Sequence, residues 1–222
     1  MSATVPVIAI DGPSASGKGT VAQRVAQALG FHYLDSGALY RLVALSAIGS
    51  GTGLDDAAAL AALAARLPAE FRDGRIVLAN QDVTDSLRSE ATSVAASRVA
   101  AVPAVRTALL GRQRAFCRPP GLVADGRDMG SVVFPDALVK VFLTAEVGIR
   151  AERRYKQLKE KGMYGKMPIV VEELRQRDAR DSARPVAPLK HYPDAIFLDT
   201  TSLSIDDAVD KVIGFYRERA HG

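Results

Sequence analysis

The stretch Val7–Thr20, VIAIDGPSASGKGT, constrains this chain more than any other. A short apolar run stops at Asp11, a glycine-rich turn follows, and Gly17-Lys18-Gly19-Thr20 opens a helical pattern. Strand, loop and helix in that order are the context of a phosphate-binding P-loop. Successive backbone N–H groups cradle an oxyanion, the helix N-terminus adds positive potential, and Lys18 reaches the terminal phosphates. The match to G-x-x-x-x-G-K carries one departure. Gly19 stands where a Mg²⁺-binding hydroxyl usually follows the lysine, and the hydroxyl comes one place later, at Thr20. A chance Gly/Ser-rich turn is the bland alternative, and the strand before it argues against that.

With 222 residues, the chain can bury one sizeable core or a core carrying an insertion. Its 48% hydrophobic and 24% charged residues suit a soluble globular protein. No apolar run approaches the roughly 18 residues of a membrane span, and MSATVPVIAI lacks the basic start and long apolar stretch of a signal peptide. A cytoplasmic protein with no membrane partner is therefore expected. Cys117, the single cysteine, cannot form an internal disulfide and fits a reducing compartment. It has no evident base beside it, so no catalytic role is assigned. His32, His191 and His221 form no cluster in the sequence.

A net charge of +4 would permit a nucleic-acid partner, but the distribution argues otherwise. Basic residues between Arg150 and Arg184 are interleaved with Glu152, Glu160, Glu172, Glu173, Asp178 and Asp181. That pattern fits a solvated helix face with i,i+4 pairs, or a set of arginines converging on polyphosphate. With no tryptophan and few aromatics, the chain offers little for base stacking. No nucleic-acid partner is expected.

Strands are expected at Val7–Ile10, Phe31–Leu34, Leu122–Ala124, Leu138–Leu143 and Ala195–Leu198, with Val139, Val141 and Phe142 covered on both faces. Helices are expected at Gly19–Leu29, from a Ser36 cap through Ala47, and at Asp55–Arg66, Ser86–Ala101, Val105–Arg118, Glu146–Lys161, Val171–Ser182 and Ile205–Arg219. Between them, Phe71–Val83 reads as a small antiparallel excursion. Alternating strands and helices with short links predict an α/β fold. It is a doubly wound, mostly parallel sheet with helices on both faces, plus a small insertion with antiparallel strands and a short lid.

A P-loop alone fits a GTPase, an ATPase motor or a small-molecule kinase. The chain lacks an Asn-Lys-x-Asp guanine-reading motif. Three further segments place polar groups near strand or helix ends: DSGALYR at Asp35–Arg41, ADGRDMG at Ala124–Gly130 and RDARDSARPVAPL at Arg177–Leu189. Ligands in open α/β sheets bind at the carboxyl ends of strands. Arg41, Arg106, Arg127, Arg177, Arg180 and Arg184 are more guanidinium groups than a simple ATPase pocket explains. Phosphoryl transfer between two nucleotides gathers that much negative charge.

These segments, with VPAVRTALLGRQRAF and DTTSLSID, make essentially the whole chain resemble the bacterial cytidylate kinases, within the nucleoside monophosphate kinases. The resemblance implies transfer of the γ-phosphate of ATP to CMP or dCMP, giving ADP and CDP or dCDP, in a monomer. It places the ATP phosphates on Gly12, Pro13, Ser14, Ala15, Ser16, Gly17, Lys18, Gly19 and Thr20, Lys18 being the clamp. It places the CMP phosphate on Ser36, Arg41, Arg106 and Arg184, and the cytosine edge on Ser97, Arg106 and Asp128. Arg177 and Asp181 fall near the sugar hydroxyls, Tyr40 beside the nucleoside, and Arg127 and Arg180 facing the transferring group. Mg²⁺ accompanies ATP. Thr20 is one donor, and Asp35 either caps a helix or holds the ion through water.

The implied domains are a core of 1–66 and 102–222, a CMP-binding insertion at 67–101 and a lid at about 155–166. A carboxylate such as Asp128 accepts from the cytosine 4-amino group and repels the uracil carbonyl in its place. Two other functions fit a P-loop: a kinase for another small metabolite, and a non-enzymatic ATP-gated interaction protein.

Overall fold

The computed structural model describes residues 5–72, 75–160, 162 and 165–221. The chain divides into two compact units, one of Met1–Leu34 with Phe116–Gly222 and the other of Asp35–Ala115. The expected insertion 67–101 falls inside the second.

The first unit is built on a five-stranded sheet of β1 (Val7–Asp11), β2 (His32–Asp35), β6 (Leu122–Gly126), β7 (Val139–Thr144) and β8 (Ile196–Asp199), ordered β2-β6-β1-β7-β8. The pairings of β1 with β6 and β7, and of β7 with β8, are parallel, with Asp11 opposite Gly126 and Phe142. The carboxyl ends of β1 and β6 therefore lie side by side. Its helices are α1 (Lys18–Leu29), α6 (Val147–Glu160), α7 (Met167–Ser182) and α8 (Ile205–His221), with α1 packed on α8 and α6 on α7.

Ile8, Ile10, Val139, Val141 and Leu143 form the core with Val21 and Val25 of α1 and Val209 and Val212 of α8. Burial along β7 alternates, which corrects the expectation of a strand covered on both faces. Phe142 lies on the partly covered face, stacked on Phe197 at 6.2 Å between ring centres. Two valines before the phenylalanine could not reveal that the second face also carries Lys140 and Thr144.

The second unit holds α2 (Ser36–Ser50), α3 (Ala57–Ala65), α4 (Glu90–Val99) and α5 (Pro103–Arg114), with α2 packed on α4 and α3 on α5. A three-stranded antiparallel sheet of β3 (Ala69–Arg72), β4 (Arg75–Leu78) and β5 (Gln81–Asp82) realises the excursion. Arg112 ties its start to α5, donating to the carbonyls of Leu67 at 2.5 Å and Ala69 at 2.7 Å.

Capping explains where the helices depart from expectation. Asp35, not Ser36, caps α2 by accepting from the Ala38 N–H, and Asp56 caps α3 in the same way. Ser89 starts α4, so the expected helix Ser86–Ala101 is a 3₁₀ turn at Ser86–Arg88 followed by a shorter α-helix. Pro103 is the first residue of α5, where its missing N–H goes unused.

Candidate active site

The loop between β1 and α1 is tightly held. A Cβ at Gly12 would stand 1.9 Å from the Leu143 carbonyl oxygen, so no side chain fits there. Gly17 precedes α1 and supplies no side-chain cap to its first turn. Ser14, Ser16 and Lys18 are buried. The Lys18 ammonium donates to the Pro13 carbonyl at 3.3 Å and lies 3.8 Å from Asp125 Oδ1. A Cβ at Gly19 would come within 3.0 Å of Asp125 Oδ2, so the side chain missing at the usual hydroxyl position makes room for that carboxylate. Thr20 is exposed on α1.

The carbonyls of the loop are satisfied from other elements. Arg150 of α6 donates to the Ser14 carbonyl at 3.1 Å and pairs with Asp178 of α7 at 2.7 Å. Arg153 donates to the Ser16 carbonyl at 2.8 Å and the Thr200 carbonyl at 2.7 Å. The interleaved charges of α6 and α7 are thus not merely a solvated face.

Arg127, just after β6, donates from Nη2 to Ser14 Oγ at 2.8 Å, from Nε to Asp181 at 2.8 Å and from Nη1 to the Gly126 carbonyl at 3.1 Å. Asp181 also holds Arg184, so one buried carboxylate bridges two guanidinium groups. Burial pushes the Asp181 carboxyl up, but Arg127 and Arg184 outweigh it and hold the group below the usual carboxylate range. Burial would lower the Arg127 pKa, and Asp181 reverses that as well. Both stay charged. Asp128, also buried, follows Arg127. Arg177 is half-buried and Arg180 exposed on α7.

In the second unit, Asp35 accepts from Arg41 at 2.5 Å in addition to capping α2. The Arg106 guanidinium donates to the Ala100 carbonyl at 3.1 Å and stands 5.6 Å from the Tyr40 ring centre. Ser36 and Ser97 are buried on α2 and α4, which pack together. The Ser97 hydroxyl makes no hydrogen bond with the described residues.

Several residues around the phosphate loop escaped the sequence analysis. Asp125 accepts from the Tyr33 hydroxyl at 3.4 Å beside Lys18. Asp11 accepts from the N–H groups of Met129 at 2.8 Å and Gly130 at 2.9 Å. Burial pushes its carboxyl up to about 7 against the pull of those two donors, and Asp128 and Asp125 add to the rise. The only signal available was an acidic residue closing an apolar strand.

His32 and His191 donate to the carbonyls of Pro119 and Ala195, and burial pushes the Cys117 thiol up, so none of the three gains a catalytic setting. Within the expected lid, Tyr155–Glu160 is the end of α6, and Lys161, Met163 and Tyr164 lie outside the described residues. Among the described residues, no single helix is long and apolar enough to cross a membrane.

A P-loop at the carboxyl end of a parallel sheet, with charged guanidinium groups beside it, suits a phosphotransferase that takes its phosphoryl group from a nucleoside triphosphate. The family model of cytidylate kinase matches residues 8–218. A cytidylate kinase of Chromobacterium violaceum is 59% identical over 97% of this chain and 97% of that one. Those of Nitrosomonas europaea and Burkholderia pseudomallei are 55% and 57% identical, each over 96% of this chain and over 96% and 93% of their own lengths. The chain belongs to the cytidylate kinase family, and so to the nucleoside monophosphate kinases.

Proposed function

We propose that this chain transfers the γ-phosphoryl group of ATP to CMP and dCMP, giving ADP and CDP or dCDP, as a cytoplasmic monomer. The network of Ser14, Arg127, Asp181 and Arg184 carries this reading, because it fixes charged guanidinium groups against the phosphate loop. Transfer between two anionic phosphates depends on alignment and charge neutralisation more than on proton transfer. The acceptor oxygen of CMP is already ionised near neutral pH, so no side chain is assigned as a base.

In the first unit, Lys18 and the loop Gly12–Thr20 hold the ATP phosphates, and Arg127 and Arg180 face the transferring group. Asp128 reads the cytosine edge, Arg177 and Asp181 meet the sugar hydroxyls, and Arg184 holds the CMP phosphate. In the second unit, Ser36, Arg41 and Arg106 hold that phosphate, Ser97 and Arg106 meet the cytosine, and Tyr40 packs on the nucleoside. A buried Ser97 hydroxyl with no hydrogen-bond partner among the described residues suits a ligand contact. Segment 67–101 is assigned as the CMP-binding insertion and about 155–166 as the lid.

Mg²⁺ is the ion assigned to the bound ATP, where it would neutralise phosphate charge. Among the described residues no group of three or more His, Cys, Asp or Glu could hold a metal. A Mg²⁺ ion held largely by phosphates and water needs only one or two carboxylates. Asp125, packed between Lys18 and Gly19, fits that need. Thr20 and Asp35 are the other assigned donors, although Asp35 already caps α2 and holds Arg41.

The test is an ADP-release assay with CMP, dCMP, UMP and AMP on the wild type and Asp128→Ala. The wild type should use the cytidine nucleotides. The variant should lose roughly 10²-fold or more of its CMP-over-UMP preference in kcat/KM while keeping its KM for ATP. Intact selectivity in that variant would sink the assignment of Asp128, and no turnover with any acceptor would sink the activity.

A further inference from the structure

Ala15 stands in the middle of the phosphate loop with its backbone in the left-handed region, at φ +60°. An L side chain carries a conformational cost there that glycine escapes, and such a residue persists where its surroundings hold it. Those surroundings are α6 and α7. Ala151 of α6 with Val170 and Leu174 of α7 forms a small apolar cluster, separate from the core around β1 and β7. Ala15 packs against it, and among the described residues every other side chain of the cluster belongs to α6 or α7. The carbonyls on either side of Ala15 turn to the same helix: that of Ser14 accepts from Arg150 at 3.1 Å and that of Ser16 from Arg153 at 2.8 Å.

We propose that Ala15 is a positioning residue: its methyl group sets the distance between the phosphate loop and the α6–α7 pair, so that an anion held by the loop keeps a fixed alignment with the residues of α7. This deepens the proposed phosphoryl transfer and rests on it. Arg177, Arg180 and Asp181, which that reading assigns to the sugar and the transferring group, all lie on α7.

The polar links between loop and helices do not fix that distance by themselves. Arg150 and Arg153 reach their acceptors through several rotatable bonds, and a long side chain keeps its acceptor over a range of helix positions. Asp181 of α7 also reaches the loop, but through Arg127, which donates to Ser14 Oγ at 2.8 Å. A methyl group on a single bond has no such freedom. Opening a gap of about 0.5–1 Å beside it forfeits a quarter to a half of each contact. Ala15 is the short, stiff link in a set of long, adaptable ones.

Ala15→Gly removes the methyl group and the conformational cost together. If only the shape of the loop mattered, glycine would serve it at least as well as alanine. If the methyl group positions α6 and α7, the loop keeps its shape and the helix pair loosens. Amide hydrogen exchange should then speed up roughly tenfold in α6 and α7 and stay unchanged in α1 and α8. A non-hydrolysable ATP analogue with Mg²⁺ should slow exchange in α6 and α7 of the wild type, and slow it less in the variant. With CMP as acceptor, kcat should fall roughly tenfold, a part of the 10²-fold that a 1 Å misplacement costs, while KM for ATP and for CMP stays within about twofold. Ala15→Ser, which keeps a Cβ, should remain near the wild type in all three measurements.

Unchanged exchange in α6 and α7 of Ala15→Gly would overturn the proposal, as would faster exchange spread equally over α1 and α8. So would the absence of protection by the analogue in the wild type, equal protection in both proteins, or a raised KM for ATP at unchanged kcat. If the wild type turns over no acceptor, the proposed activity is what fails, and the exchange measurements still decide the role of Ala15.

Discussion

Asp181 is the residue whose removal the structure prices most directly. Its side chain is 1% exposed and faces two guanidinium groups, those of Arg127 at 15% and Arg184 at 5% exposure. Asp181→Asn keeps the volume and removes the charge, leaving two buried cations against one amide oxygen and an amide NH₂ that repels a donor. Breaking a buried pair in this way costs about 3–5 kcal/mol. Arg127 keeps its bonds to Ser14 and the Gly126 carbonyl, so the loss belongs at the lower end. About 3 kcal/mol is expected, roughly 10²-fold in the folding equilibrium.

The assay is urea denaturation followed by far-UV circular dichroism, without nucleotide, at several pH values. The folded-state pKa of Asp181 is depressed. Its contribution is thus present above the unfolded carboxylate value of about 3.9 and is lost as pH falls through the lower folded value. The wild type should exceed the variant by the full amount at neutral pH, and the gap should close in acid. A loss below about 1 kcal/mol at neutral pH, the scale of an exposed ion pair, would refute the reasoning. So would a gap that does not shrink with acidification.

Two further outcomes are expected. Gly12→Ala should impair folding and ATP binding together, because its Cβ would overlap the Leu143 carbonyl. The overpacking amounts to roughly 1–3 kcal/mol, and unchanged thermal stability would count against the close approach of loop and strand. Asp56→Ala should cost about 1 kcal/mol in urea denaturation and leave kcat untouched, since its carboxylate caps α3 and the residue has no part in the assigned site.

The fold was legible to the extent that local signals act alone. Val7–Asp11 followed by a glycine-rich turn can hardly be anything but strand and loop, and the Ala/Leu run around Ala57–Ala65 is a helix on propensity. Helix starts shifted wherever two capping residues competed, as with Asp35 against Ser36 and Asp55 against Asp56. The winner is set by which side-chain oxygen reaches the third N–H, and composition does not reveal it. At the site, Lys18, Arg127 and Asp128 stand in motifs whose spacing is informative. Asp11, Arg150, Arg153 and Thr200 were not legible, because each acts on a backbone group distant in sequence, even where, as for Asp11 and Thr200, the residue stands inside a quoted segment.

Those hidden partners follow from the geometry of the loop itself. A loop that turns its N–H groups inward towards an anion must turn carbonyls outward, and buried carbonyls need donors. Here Pro13, Ser14 and Ser16 offer carbonyls to Lys18, Arg150 and Arg153, with the Thr200 hydroxyl also reaching Ser16 at 3.3 Å. Three of these four donors are cationic. Arg150 and Arg153 each satisfy a peptide dipole of the loop and add positive potential to the side where an anion would sit. Neutral donors would meet the hydrogen-bonding demand equally well and leave the anion less stabilised. Arg150 and Arg153 of α6 therefore support the loop from behind, and Asp178, paired with Arg150, carries that support to the helix holding Asp181.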